Sequence, residues 1–327
     1  MRILDATAVE ALIDEKTALD SIRDLFTIPQ EPGEIGFGRI DLAHPTGWLR
    51  SLPAFITSKD LLGFKVLHRT AGVGMRYTVY VHRLSTGEPI GIVDALEVTN
   101  VRTGAVSAVA TDLLALEQVD IAAIVGTGPV GRGQLRALEL VRPAAEIRVF
   151  ARTPANRRVF LDEMEDSVAG QLVEAKTLDQ AVDGAHLVTL ATKAVKPVLL
   201  AAHLHPGMHV NSVGPASRDR VEVDPTIFDS FDRVVCDSAD MVFEEAGDAR
   251  QAASHGFDAA RAEDLGRLVS GAVAGRTGAH EITLFKSVGT GAQDLIVAGR
   301  LLELAEDAGA GLVVGDVNSI KPVAPGV

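Results

Sequence analysis

The run Ile121-Ala122-Ala123-Ile124-Val125-Gly126-Thr127-Gly128-Pro129-Val130-Gly131 decides the fold. Five apolar residues lead into glycines at G-x-G-x-x-G spacing, and a helix-forming stretch, 129–141, follows at once. Each glycine answers a separate steric demand of a strand–turn–helix that receives a dinucleotide. Gly126 permits the tight turn, Gly128 lets the backbone approach a pyrophosphate, and Gly131 lets helix and strand pack closely. The helix N-terminus adds N–H groups and the positive end of its dipole. Gly126, Thr127, Gly128, Pro129, Val130 and Gly131 are therefore candidate cofactor contacts.

Downstream, a strand over 146–151 and a helix over 154–168 follow, then apolar runs at 187–192, 209–213, 233–237 and 281–288. Strands alternating with helices predict an α/β fold with a doubly wound, mainly parallel Rossmann sheet. Upstream, Val9, Leu12, Ile13, Ala18, Leu19, Ile22 and Leu25 recur at near-helical spacing, so 1–25 reads as a helix. Residues 36–103 hold short apolar runs around the turn Ser85-Thr86-Gly87-Glu88-Pro89 and predict a mostly antiparallel sheet. Small residues from Gly104 to Leu116 predict a tightly packed helix. Another helix is expected over 291–308, with coil after it.

The 327 residues suffice for two moderate domains. A net charge of −13 (31 basic against 44 acidic residues) argues against nucleic acid and anionic membrane as partners. No apolar run approaches the roughly 20 residues of a membrane helix, and the acid-rich start does not read as a signal peptide. The lone Cys236 cannot form an internal disulfide, which fits a reducing cytoplasm. No metal-type Cys/His cluster stands out.

The second strand bears on cofactor choice. NAD sites place an acid about 20 residues past the glycines, on the ribose hydroxyls. Here the strand ends Val149-Phe150-Ala151-Arg152-Thr153, with Arg157 and Arg158 beyond it. Arg152, Thr153 and Arg157 are candidates to meet a 2′-phosphate, so NADP(H) is expected over NAD(H). The same arginines would also suit a solvated helix start.

Three basic residues precede the nucleotide motif: Arg39, Lys65 in Gly63-Phe64-Lys65-Val66, and Arg102 in Asn100-Val101-Arg102-Thr103-Gly104-Ala105. In an apolar run, desolvation of Lys65 would lower its pKa toward proton transfer. A guanidinium pair suits a carboxylate, which it binds bidentately. Each is also read as an ordinary surface charge.

In order along the chain stand Lys65, Thr86-Gly87-Glu88-Pro89, Arg102-Thr103-Gly104-Ala105, Gly126-Thr127-Gly128, His209-Val210-Asn211-Ser212-Val213-Gly214 and Ser287-Val288-Gly289 followed by Asp294. That series resembles the ornithine cyclodeaminase/μ-crystallin family over nearly the whole chain. The resemblance implies a homodimer, with a substrate and dimerisation domain over 1–112, a Rossmann domain over 113–290, and 291–327 returning to the first. It also implies that Arg39, Lys65 and Arg102 bind a small carboxylate-bearing amino or imino acid, Lys65 and Arg102 being catalytic. It places Val288 at the substrate, and Arg102, Thr192, Val213 and Ser287 at the cofactor. One departure matters: where cyclodeaminases carry an aspartate, this chain has Ala216, although Glu222 and Asp224 keep their spacing. Alanine cannot act as the base that cyclisation needs; Asp219 is the one nearby substitute. After the lysine, His68-Arg69-Thr70-Ala71-Gly72 replaces the family's asparagine-bearing loop. The expected activity is NAD(P)H-dependent reduction of an α-imino acid, or the reverse amino-acid dehydrogenation. A cyclodeaminase-type ammonia lyase and a non-enzymatic NADP(H)-binding protein are the alternatives.

Overall fold

Alternating buried residues at Leu52, Ala54 and Ile56 mark a strand covered on one side, whereas Val119–Val125 is apolar on both. That contrast runs through the computed structural model, which describes residues 1–29, 31–214 and 217–315. The chain divides into two compact units, 1–14 with 31–99 and 290–327, and 15–30 with 100–289.

The first unit holds β1 (Arg2–Leu4), α1 (Ala6–Leu12), β2 (Ile35–Phe37), β3 (Ile40–His44), β4 (Gly47–Ile56), β5 (Leu61–Thr70), β6 (Gly74–Arg83), β7 (Pro89–Asp94), α10 (Gly291–Asp307) and β16 (Leu312–Val313). Its sheet runs β16-β1-β7-β6-β5-β4-β2, with β3 on β4, and is antiparallel apart from the β1–β7 pair. Cross-strand partners share a face, so Leu52, Lys65, Val79 and Val93 form one buried row. Helix α10 covers that face. Gly91 permits the close approach, since a Cβ there would lie 2.4 Å from Leu302.

The second unit holds α2 (Glu15–Thr27), most of α3 (Leu96–Leu114), β8 (Val119–Val125), α4 (Pro129–Glu139), β9 (Ala144–Phe150), α5 (Pro154–Met164), β10 (Gln171–Glu174), α6 (Leu178–Val182), β11 (Leu187–Leu190), β12 (His209–Ser212), β13 (Arg233–Cys236), α7 (Ala239–Glu245), α8 (Gly247–Ser254), β14 (Ala262–Asp264), α9 (Leu265–Val269) and β15 (Thr283–Lys286). Its eight strands are all parallel in the order β10-β9-β8-β11-β12-β15-β13-β14. Ala123 and Val125 pack into one core, Ala122 and Ile124 into the other, so helices cover both faces as a parallel sheet requires.

Four expectations need correction. Residues 1–25 are a strand and two helices: Asp5 caps α1 by accepting from the Ala8 N–H, and Ile13 is extended before α2. Apolar spacing is blind to that cap. Helix α3 starts at Leu96, eight residues before the expected Gly104, because tertiary burial overrides the β-branched Val98, Thr99 and Val101. The short strands β10 and β14 were not expected. Part of the expected terminal coil is β16, paired with β1; from residue 316 on the coil lies outside the described residues. By contacts, residues 15–29 and helix α3 from Asn100 fall in the second unit. Among the described residues no helix is long and apolar enough to cross a membrane.

Candidate functional site

Strands β8 and β11 are neighbours from which the strand order departs in opposite directions, and ligands of open α/β sheets bind beyond the carboxyl ends at such a point. There the three glycines meet different steric conditions. Gly126 has φ +114°, and a Cβ on it would lie 2.3 Å from the Ala191 carbonyl oxygen. A Cβ on Gly131 would lie 2.1 Å from the Gly126 carbonyl oxygen. Gly128 is different: its φ of −82° is ordinary, and nothing lies within 4 Å of a Cβ built there. Gly128 caps α4 without a side-chain hydrogen bond, with Pro129 and Val130 opening the helix. Open space above uncapped helical N–H groups is what a pyrophosphate requires, so this cradle fits a dinucleotide. The Thr127 carbonyl accepts from Arg132 at 2.6 Å, which fixes the loop from below.

The neighbouring strand ends are tied by buried carboxylates. Glu222 accepts from the Thr192 N–H (2.6 Å) and hydroxyl (2.8 Å), the Ser212 hydroxyl (2.7 Å) and the Gly214 N–H (2.9 Å). Burial pushes its pKa up, against the pull of Lys286 and these donors. Lys286 donates to Ser212 and to Asp248, both at 2.8 Å. Burial opposes its charge, but Asp248 and Glu222 together outweigh it and raise its pKa. Val213 is bonded back to Leu190 at 3.0 Å. Asp237 accepts from the Ser287 hydroxyl (2.7 Å), the Val288 N–H (3.2 Å) and the Gly289 N–H (2.7 Å). The guanidinium of Arg102 rests against Gly289, where a Cβ would approach it to 2.7 Å. The structure thus brings Arg102, Ser287 and Val288 together, and Thr192 with Val213, all in the second unit.

The end of β9 carries no acid. Arg152 and Thr153 are exposed beyond it, and Thr153 caps α5 without a side-chain bond. Arg157 stands apart from them: it is buried, pairs with Glu174 at 2.8 Å and donates to the Ala151 carbonyl at 2.6 Å.

In the first unit Lys65 lies in the buried row of β5, 2% exposed. Its ammonium reaches Asp294 on α10 at 2.9 Å and the Thr99 hydroxyl at 2.7 Å, and stands 5.4 Å over the Tyr77 ring. The expected lone amine in apolar surroundings is therefore one half of an ion pair, and the carboxylate favours its charged form. Arg39 is half-buried in the link from β2 to β3. Its neighbour Gly38 donates to Pro53, next to Leu52, the partner of Lys65. Arg39 thus sits level with Lys65, about two strand spacings or ~10 Å across the sheet.

Sequence reading assigned no role to Asp294, Thr99, Asp237, Glu222 or Lys286. Asp294 stands in a quoted motif, but its partner is 229 residues away. Ala216 lies outside the described residues. Asp219 is exposed and takes a hydrogen bond from Ser217, which lowers its pKa.

The model of the ornithine cyclodeaminase/mu-crystallin family matches residues 14–309. The chain is 30% identical to the Delta(1)-pyrroline-2-carboxylate reductase of Bacillus cereus over 282 residues, 84% of this chain and 86% of that one. It is 28% identical to the ketimine reductase mu-crystallin of Mus musculus, covering 79% and 81%. It is similar to the solved Delta(1)-pyrroline-2-carboxylate reductase of Thermococcus litoralis in complex with NADH and L-proline, with TM-score 0.90 and 29% identity over 96% of this chain and 100% of that one.

Proposed function

The chain belongs to the ornithine cyclodeaminase/mu-crystallin family, and from that premise we propose that it is an NAD(P)H-dependent reductase of a carboxylate-bearing α-imino acid, a ketimine. The observation that carries this reading is the likeness, over nearly the whole chain, to a reductase solved with NADH and L-proline. The dinucleotide cradle at Gly126–Gly131 supports it independently.

The bound nicotinamide, when reduced, supplies the hydride; the protein's share is binding, orientation and the proton. Arg39 and Arg102 are assigned the substrate carboxylate, which a guanidinium fork holds bidentately, and Lys65 is assigned the proton. Val288 is assigned the substrate, and Thr192, Val213 and Ser287 the nucleotide. At the end of β9, exposed Arg152 and Thr153 without a neighbouring acid favour NADP(H) over NAD(H). Arg157 is committed to Glu174 and serves the cofactor only by shaping that strand end.

Homodimerisation is assigned to the face of the first unit's sheet opposite α10. Leu62, 37% exposed, pairs with Phe55, and Phe64 stacks on Tyr80 at 4.9 Å on that face. Light scattering that returns a monomer overturns this assignment.

A panel of cyclic ketimines, and of 2-keto acids crossed with amines, tests the activity at the nicotinamide absorbance. Net loss of NADPH is the expected result. Ammonia release from a diamino acid without net cofactor change points to the cyclodeaminase instead. Tight nucleotide binding with neither signal points to a binding protein.

A further inference from the structure

The surroundings of Lys65 specify its protonation state. Around it stand Leu52 on β4, Val79 and Tyr77 on β6, Thr99 on α3 and Asp294 on α10. The Thr99 hydroxyl spends its own proton on the Ala95 carbonyl at 2.5 Å, so it faces Lys65 as an acceptor. Asp294 lies in the first turn of the 17-residue α10, where the helix dipole favours a carboxylate. The Tyr77 ring presents its face to the amine, which attracts a cation. Two acceptors and a π-face favour the ammonium, against the cost of burying it.

We infer that Asp294 is a positioning residue that fixes Lys65 as an ammonium, and that Lys65 enters ketimine reduction as the donor of a proton to the substrate nitrogen. This rests on the reductase reading above. In the step, an Nζ–H bond of Lys65 breaks and an N–H bond forms on the imine nitrogen. The hydride from the reduced nicotinamide forms the new C–H bond, and the C=N π pair takes up the proton. Lys65 is left as a neutral amine and regains its proton from water; the nicotinamide is oxidised. The pairing therefore favours reduction, while the reverse reaction needs a deprotonated lysine and hence a higher pH.

Two measurements on native protein, Asp294→Asn and Asp294→Glu test this. The first follows the ¹³Cε resonance of Lys65 against pH in cofactor-free protein, assigned by its loss in Lys65→Met. The second follows kcat for ketimine reduction against pH with saturating NADPH, beside NADPH affinity. In Asp294→Asn the Lys65 titration and the alkaline limb of kcat are expected to move together, by at least one pH unit, to lower pH. NADPH affinity stays within about twofold, and Asp294→Glu restores most of the shift. A Lys65 titration unmoved in Asp294→Asn overturns the hold of Asp294 on the lysine. A moved titration with an unmoved alkaline limb overturns the donor role. If native protein reduces no ketimine, the reductase reading and the donor role fall together, whereas the resonance still decides the pairing.

Discussion

Among the described residues each unit buries one lysine–aspartate pair, and the two look alike at close range. Lys65 and Asp294 stand 2.9 Å apart at 2% and 0% side-chain exposure; Lys286 and Asp248 stand 2.8 Å apart at 4% and 0%. Their local sequences are alike too, Phe64-Lys65-Val66 against Phe285-Lys286-Ser287. A lysine in an apolar strand run describes Lys65 and Lys286 equally well. Their surroundings differ. Asp248 also accepts the backbone N–H groups of Glu222 and Val223, and Ser212 links Lys286 to Glu222, so that pair completes a polar strut under the strand ends. Lys65 meets a carboxylate, a hydroxyl and a ring. Burial of a charge shows that a partner is required; the backbone bonds that Asp248 also accepts mark its pair as a strut.

Replacing each lysine by methionine is the harshest trial of that contrast. Lys65→Met is expected to lower kcat by about 10²–10⁴-fold with NADPH affinity unchanged, as loss of a proton-transfer group does. Lys286→Met is expected to keep kcat per folded molecule but cost about 3–5 kcal/mol of stability, because Asp248 stays buried without its cation. Turnover of the two variants, beside urea unfolding, decides it; near-native kcat in Lys65→Met reduces that residue to a clamp.

The nucleotide cradle gives the next largest effect. Gly128→Asp puts an anion where the pyrophosphate approaches, and like-charge juxtaposition costs several kcal/mol. The backbone there accepts any residue and the space is open, so circular dichroism should be unchanged while nucleotide titration shows binding lost. Retained affinity removes the loop from the site.

Arg152 and Arg157 are a smaller pair of the same kind, one exposed and one a strut. Arg152→Ala should narrow the NADPH-over-NADH preference by about 1.5–3 kcal/mol, the worth of a charge-assisted bond. Arg157→Ala should leave the ratio alone and lower the melting temperature. Equal affinity of the native protein for both nucleotides would end the phosphate reading of this strand end.

The last trial concerns acid. Burial first, and then the charge of Arg276, push the His209 pKa down to about 3 from 6.5. Below pH 6.5 the unfolded chain binds a proton that the folded one refuses. The contribution of His209 is thus complete above pH 6.5 and is lost as pH falls toward 3, at ~1.4 kcal/mol per pH unit. His209→Asn should flatten that slope in unfolding measured at several pH values.

What the sequence alone determined is local. The parallel nucleotide fold was legible because its steric demands, a tight turn, an open approach and a close helix, fall on three glycines within eleven residues. The antiparallel sheet with its turn at Ser85–Pro89, the helix of small residues and the last helix were legible for the same reason, since period and turn chemistry are read over short windows. Helix caps, short edge strands and the early start of α3 were not, because burial by distant segments overrides propensity. Only the tertiary structure decided which charges pair. A buried lysine requires a counter-ion, but nothing near Lys65 says that it comes from Asp294, 229 residues on. Glu222 likewise meets Thr192 only because parallel strands bring their ends together. Partner choice across such distances is set by packing, which no local pattern encodes.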